Sequence, residues 1–253
     1  METSPHNYGW IPDLPDKRDV AYCKAPRRKL PIVVDLRGQC LAIENQEDLG
    51  SCTAHALTGA TEFLVTKAGF PPVQLSRLFL YYQERMLEGN IPFDSGAMIR
   101  DGIKALKRWG VCREELWPYR IQDFTKSPPP AAYEDAEKRQ ILSYQRLSTL
   151  QDMLNCLANG FPFVFGFTVY ESFESEEVAK TGVAPMPGDD EEPMGGHAVL
   201  AVGYNQKEKR LIVRNSWGSA WGKAGYFTMP FAYVQDRDLS DDFWVVYTQE
   251  EGC

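Results

Sequence analysis

The run Gly50-Ser51-Cys52-Thr53-Ala54-His55-Ala56-Leu57 marks the point at which this sequence changes character. Before it the chain is rich in Pro and charge. After it Ala54, Leu57, Ala60, Thr61, Leu64 and Ala68 recur at helical spacing until Gly69-Phe70-Pro71-Pro72 supplies a stop. Cys52 therefore falls in the first turn of a helix. Unpaired backbone N–H groups and a partial positive charge favour a thiolate there, the form in which sulfur is a nucleophile. Gly50 gives a tight approach from the preceding loop, and Ser51 is placed to cap the helix. Taken alone, Cys52 reads more simply as a small buried apolar residue, as most free cysteines are.

Outward from this helix, the pattern predicts a second one from Ser76 through Leu78, Tyr82 and Met86 to Gly89, and a third from about Ala97 to Trp109 before Gly110. A Pro-rich stretch from Ser127 to Pro130 precedes a charged helical segment. A short helix from Thr149 follows, with Leu150, Met153, Leu154 and Leu157 on one face and Gly160 at its end. The sequence then turns strand-like: Phe161 to Tyr170, His197 to Tyr204, Arg210 to Asn215, Tyr226 to Met229 and Phe243 to Tyr247 are short, aromatic or β-branched runs bounded by turn formers. Helices first and strands afterwards predict an α+β protein with two lobes. Residues 1–32 form an extended N-terminal arm, 33–145 a helical lobe carrying Cys52, and 146–253 a β-rich lobe.

A chain of 253 residues with 43% hydrophobic residues is long enough to bury a sizeable core. Its net charge of -8 argues against nucleic acid, since phosphate binding needs Lys and Arg gathered on one face. The one basic cluster, Arg27-Arg28-Lys29, reads as a solvated loop. No apolar stretch approaches membrane-spanning length, and the start Met-Glu-Thr-Ser-Pro shows no Sec-type signal. The expectation is a soluble chain of unknown compartment, cytoplasmic or exported by a non-Sec route. Cys23, Cys40, Cys52, Cys112, Cys156 and Cys253 lack the close pairs that structural zinc prefers, so no metal is expected. With one thiol catalytic, the other five cannot all pair within one molecule.

Thiolate chemistry wants an imidazole to share the proton, and the chain offers His6, His55 and His197. His6 lies in the arm. His55, one turn beyond Cys52, reads as a surface or groove-edge residue. His197 opens a strand after Gly195-Gly196, where missing side chains leave room for a substrate backbone. A satisfied core histidine is the plainer reading for most lone histidines. The ring also needs an orienting partner, and Asn215 ends the next strand in Arg214-Asn215-Ser216-Trp217-Gly218. By itself an Asn there is ordinarily a turn former.

At these residues the sequence resembles the papain-like cysteine peptidases. Asn45-Gln46-Glu47-Asp48-Leu49-Gly50-Ser51-Cys52-Thr53-Ala54 is similar to that family's nucleophile segment. Gly196-His197-Ala198-Val199-Leu200-Ala201-Val202-Gly203-Tyr204 resembles its histidine strand, and Val213 to Gly222 its asparagine segment. The chain order Cys, His, Asn is the family's, with the His about 145 residues beyond the Cys, inside the family's range of about 130 to 150. Weaker echoes occur at Gln74-Leu75-Ser76, Asp94-Ser95-Gly96, Trp117-Pro118-Tyr119 and Gly160-Phe161-Pro162-Phe163.

The resemblance implies a papain-like two-lobed fold, with a barrel-like antiparallel C-terminal lobe and a cleft between the lobes. It implies an endopeptidase in which Cys52 is the nucleophile, His197 the base and later the acid, and Asn215 the orienter. Trp217 would shield the Asn–His bond, and Gln46 would donate to the oxyanion beside the Cys52 N–H. Gly50, Ser51, Gly96, Gly196 and Trp217 would line the substrate path, although Gly96 also reads as an ordinary turn glycine. No cofactor is implied, and a monomer acting on peptide or protein is expected.

Leu49 and Thr53 stand where the family commonly has Cys and Trp, so its usual disulfide pattern does not transfer. The expectation is an arm ahead of Val33 rather than a long helical pro-domain. Such an arm, as a short pro-segment, would lie across the cleft from Tyr8 to Asp19 and damp a zymogen, or else merely brace one lobe. Glu171 to Glu192 is strongly acidic, which either favours basic substrates or is a solvated loop. Two other functions fit the same residues: a transglutaminase-like or other acyl-transfer thiol enzyme, whose relatives commonly carry Asp at the Asn215 position, and an inactive peptidase-like binding module.

Overall fold

The structure, a computed structural model, describes residues 7–23 and 29–249; His6, Arg27, Arg28 and Cys253 lie outside the described residues. In chain order its elements are β1 (Trp10–Ile11), β2 (Val33–Asp35), α1 (Cys52–Lys67), α2 (Arg77–Glu88), β3 (Ala97–Met98), α3 (Ile99–Arg108), α4 (Pro130–Ala136) and β4 (Ser143–Arg146). There follow α5 (Leu150–Ala158), β5 (Phe163–Tyr170), α6 (Glu176–Thr181), β6 (Pro193–Asn205), β7 (Arg210–Arg214), β8 (Tyr226–Pro230), α7 (Phe231–Gln235) and β9 (Ser240–Tyr247). Helices come first and an antiparallel sheet second, so the chain is α+β as its sequence predicts.

Helix α1 is buried on every side from Cys52 to Leu64. Small residues make this feasible, because Ala54, Ala56, Gly59 and Ala60 let neighbours approach from all directions. At Gly59 the absent side chain leaves room for Arg214 of β7. The Arg214 guanidinium passes by and donates to the Leu41 carbonyl at 2.6 Å and the Ala42 carbonyl at 2.5 Å. One buried cation thus ties the loop before α1 to the strand that leads into Asn215. On its other side α1 meets α2 and α3, where the Thr53 hydroxyl donates to the buried Glu84 carboxyl at 2.8 Å.

The sheet runs β4-β9-β5-β6-β7-β8, with β2 pairing β6 off this path; among the described residues it stays open rather than closing into a barrel. Strand β5 reads FVFGFTVY and is buried along most of its length, the pattern of a central strand covered on both faces. Its phenylalanines build an aromatic core in which Phe165 stacks on Phe243 of β9 at 5.5 Å. Register in the β5–β6 pair sets Phe167 opposite His197 and Thr168 opposite Gly196.

Several short elements escaped the sequence reading. Residues Val33–Asp35 join the sheet by pairing β6, although they precede the helices in the chain. The arm is no loose extension: β1 pairs β3 in parallel, Trp10 opposite Ala97, and Ala21 bridges Arg146 of β4. The acidic segment holds α6, capped by the Ser175 side chain on the Val178 N–H, rather than being only a loop. Cys23 is disulfide-bonded, Cys40, Cys52 and Cys112 carry free thiols, and the Cys156 thiol donates to the Phe161 carbonyl at 3.4 Å.

Helix α3 stops as its sequence signals. Gly110 takes φ +75, and a side-chain carbon added there would lie 2.0 Å from the Ala136 carbonyl oxygen. Gly110→Ala should therefore lower stability by about 1–3 kcal/mol from the left-handed backbone alone, with the carbonyl clash added. Chemical denaturation measures it, and an unchanged midpoint would contradict this account of the turn.

Candidate active site

Cys52 is the first residue of α1 and is fully buried. Its sulfur accepts the Ala198 N–H at 3.4 Å and a second backbone N–H from Gly9 of the arm. Ala198 follows His197 on β6, so the tip of α1 abuts the start of the histidine strand. Burial pushes the Cys52 thiol up to about 12, against the pull of those two N–H groups. With the arm in place the sulfur is held as a thiol.

His197 is also fully buried. Its Nε2 lies 2.8 Å from Asn215 Oδ1, and that oxygen also accepts the Ser216 N–H at 2.9 Å. Two donors on one atom fix it as the amide oxygen. Nε2 therefore carries the proton, and Nδ1 is the ring nitrogen left to exchange one. Trp217 stacks on the ring at 4.9 Å and Phe167 meets it edge-on at 5.7 Å.

Gln46 is buried where its amide is fixed by the other block. The Ser216 hydroxyl donates to its Oε1 at 2.6 Å, and its backbone N–H donates to the Ser216 carbonyl at 2.8 Å. Nε2 is thereby turned outward, donating to the Leu49 carbonyl at 3.1 Å and to the Asn7 carbonyl of the arm at 3.0 Å. The side-chain amide at the mouth of the site thus already holds a peptide oxygen.

The remaining candidates meet the arm, with one exception. A side-chain carbon on Gly50 would lie 3.5 Å from Gly9, one on Gly96 would overlap Gly9, and one on Gly196 would sit 2.4 Å from the Trp10 carbonyl oxygen. Gly96 has φ +70, so both its conformation and its neighbour require glycine. Trp217 faces Tyr8 at 6.4 Å. Ser51 is the exception: its hydroxyl makes no helix-capping bond and turns inward, 2.7 Å from the Tyr119 hydroxyl and 3.3 Å from His55 Nδ1. Two larger partners outcompete the cap.

His55 also departs from the sequence expectation of a surface or groove-edge residue. It is buried, because α1 has no exposed face at that turn, and its Nδ1 lies 3.0 Å from the Ser51 carbonyl. Burial, with the nearby Arg77 charge, drops its pKa to about 3.

Three residues near the site were legible only as echoes or as parts of a block. Asp94 accepts the Gly50 N–H at 3.1 Å, the Tyr81 hydroxyl at 2.5 Å and the Asn7 side chain at 2.8 Å, so one carboxylate ties the loop before Cys52 to the arm. Ser216 orients Gln46. Tyr119 donates to the Gln46 carbonyl at 2.8 Å. The signal was their presence in Asp94-Ser95-Gly96, Asn215-Ser216-Trp217 and Trp117-Pro118-Tyr119, but contacts across such distances in the chain are not readable from one sequence.

Residues 30–239 match the model of the papain family of cysteine proteases. The chain is 43% identical to an uncharacterized peptidase C1-like protein of Acanthamoeba polyphaga mimivirus, over 97% of this chain and 89% of that one. It is similar to the crystal structure of xylellain, a cysteine protease from Xylella fastidiosa, with 39% identity, TM-score 0.91 and 99% of both chains covered. It is 31% identical to pro-cathepsin H of Mus musculus over 73% of this chain, where the match spans 55% of the longer protein.

The buried sulfur has a direct chemical consequence. Near neutral pH, iodoacetamide should modify the half-exposed Cys40 of the full chain before Cys52, as read by peptide mass mapping. Cys52 reacting first would contradict the covered geometry.

Proposed function

Because the chain belongs to the papain family of cysteine proteases, we propose that Cys52, His197, Asn215 and Gln46 carry its endopeptidase chemistry and that the N-terminal arm restrains them. The observation that carries this reading is the convergence of α1, β6 and the Asn215–Trp217 turn: sulfur against Ala198 N–H, and His197 Nε2 on Asn215 Oδ1. The named relatives are described as proteases or peptidase-like, which favours hydrolysis over acyl transfer to amines.

With the arm withdrawn, the His197 Nδ1 takes the Cys52 proton, and the thiolate attacks the carbonyl carbon of the scissile bond. A C–S bond forms and the carbonyl π electrons move to oxygen. Gln46 Nε2 and the Cys52 N–H donate to that oxyanion. The intermediate collapses as the C–N bond breaks, and the imidazolium gives its proton to the departing amine nitrogen. Water then attacks the thioester with His197 as base, returning the thiol and a free carboxylic acid. Asn215 holds the ring so that Nδ1 faces sulfur throughout.

Support for restraint by the arm comes from what faces each reacting group. The Asn7 carbonyl takes the Gln46 donor, and Tyr8 lies against His197 and Trp217. The sulfur meets the Gly9 N–H, a donor, rather than an electrophilic carbonyl carbon. Beyond the cleft the arm is tied down by Asp13 and Asp19. Asp13 Oδ2 accepts from Trp244 Nε1 at 2.8 Å, and its N–H donates to Asp242 at 2.8 Å. Asp19 pairs with Arg100 and Arg146. We read residues 1–32 as a short pro-segment on a two-lobed body, 33–145 and 146–253, that acts as a monomer on peptide or protein.

Gly9 supplies the test. A side-chain carbon there would lie 1.8 Å from the Gly50 carbonyl oxygen, so an alanine cannot settle into the cleft. Gly9→Ala should raise turnover of a fluorogenic peptide by about tenfold or more over the native chain, and adding Cys52→Ala should abolish it. Equal turnover by the native and Gly9→Ala chains would remove the case for restraint; turnover surviving Cys52→Ala would remove the catalytic assignment. In the Gly9→Ala background, Gln46→Ala should lower kcat by about a hundredfold to a thousandfold, with little change in KM. A rise in KM alone, with kcat unchanged, would contradict its role at the oxyanion.

A further inference from the structure

Behind the candidate site, between α1 and the strands β6 and β7, lies a cavity of about 10 Å3 lined by His55, Gly59, Glu62, Ala198, Arg214 and Asn215. Two buried polar atoms of that lining find no hydrogen-bond partner among the described residues: His55 Nε2 and Asn215 Nδ2. His55 is 6% exposed and Asn215 3%. Orphaned groups at such depth are uncommon, and a cavity of this size has the room one water needs.

The hydrogen-bonding senses of the two atoms are complementary. His55 Nδ1 lies 3.0 Å from the Ser51 carbonyl, an acceptor only, so Nδ1 carries the ring proton and Nε2 presents a lone pair. Asn215 Nδ2 is a donor, since its partner oxygen is already fixed by His197 and Ser216. A single water donating to His55 and accepting from Asn215 satisfies both. We infer that His55 is a positioning residue for the Asn215–His197 pair, acting through one internal water held in this cavity. The inference rests on the reading of Asn215 as the orienter of His197.

The consequence concerns the orientation of the Asn215 amide. A flipped amide would turn its NH2 against the Nε2–H of His197, two donors facing each other, and the ring would lose the tautomer that leaves Nδ1 toward sulfur. Anchoring Nδ2 from behind opposes that flip. The anchor must stay neutral to keep accepting, and His55 does so because burial and Arg77 hold its pKa at about 3. Glu44, Glu62 and Arg214 are the other charged side chains along the cavity. Glu44 is engaged by Arg77 at 3.2 Å and the Gln74 side chain at 3.0 Å, Glu62 by the Leu75 N–H at 2.8 Å and Arg214 by the Leu41 and Ala42 carbonyls, which leaves the histidine as the matched acceptor.

The test uses the Gly9→Ala chain as the active background, with His55→Phe removing the acceptor and His55→Gln retaining one. Expected are a fall in kcat of about tenfold for His55→Phe with KM near the parent value, and recovery to within about threefold for His55→Gln. A high-resolution crystal structure of the native chain should show one water within hydrogen-bond distance of both His55 Nε2 and Asn215 Nδ2. If His55→Phe does not fold, that electron density decides by itself. Parent kcat in His55→Phe, equal losses in both variants, or a cavity without the bridging water would each overturn the inference while Cys52-dependent turnover persists. Turnover independent of Cys52 would instead sink the catalytic reading and this inference with it.

Discussion

The arrangement depends on the contact between the first turn of α1 and the start of β6, where the Ala198 N–H reaches the Cys52 sulfur at 3.4 Å. Sulfur and imidazole come from elements about 145 residues apart in the chain, so neither local sequence alone brings them together. Three features do it jointly. Small residues let α1 lie buried against the sheet, Arg214 bolts the loop before α1 to β7, and Gln46 is held by Ser216 across the same junction. The last two are polar ties placed where apolar packing alone would leave the junction free to slide.

The same junction explains why the arm fits. A chain that approaches a buried sulfur must bring backbone rather than side chain, and the lining is glycine at Gly50, Gly96 and Gly196. The arm answers with Gly9 opposite Gly50 and Gly96, and flanks it with Tyr8 and Trp10, whose rings fill the space to either side. Trp10 donates to the buried Asp242 at 3.0 Å, a carboxyl whose pKa burial and the neighbouring Asp13 raise to about 7. The arm is thus engaged at the cleft by backbone and beyond it by charge and indole N–H groups.

Much of this was legible in the sequence where the signal was local. Helical spacing from Ala54 to Leu64, the Gly89 and Gly110 stops, the Thr149 start and the aromatic β5 run all reflect short-range physics, and the structure has elements at each. The α+β order followed from helical spacing giving way to strand-like runs, and the family from the three blocks around Cys52, His197 and Asn215. What escaped depended on partners far away in the chain. Two-residue strands such as Trp10–Ile11 carry no periodicity, Val33–Asp35 is a strand only because β6 is beside it, and His55 is buried because α1 has no free face. Ser51 sits at the helix start, yet Tyr119 and His55 draw its hydroxyl inward.

The central claim is that Cys52 and His197 form a thiolate–imidazolium pair once the cleft is open. The most direct measurement is the rate of Cys52 alkylation by iodoacetamide in the Gly9→Ala chain, followed from about pH 4 to about pH 9. The account predicts rapid alkylation well below the ordinary thiol range of about 8.5, because the imidazolium stabilises the thiolate. A single rise in rate at or above that range, with none below it, would contradict the claim.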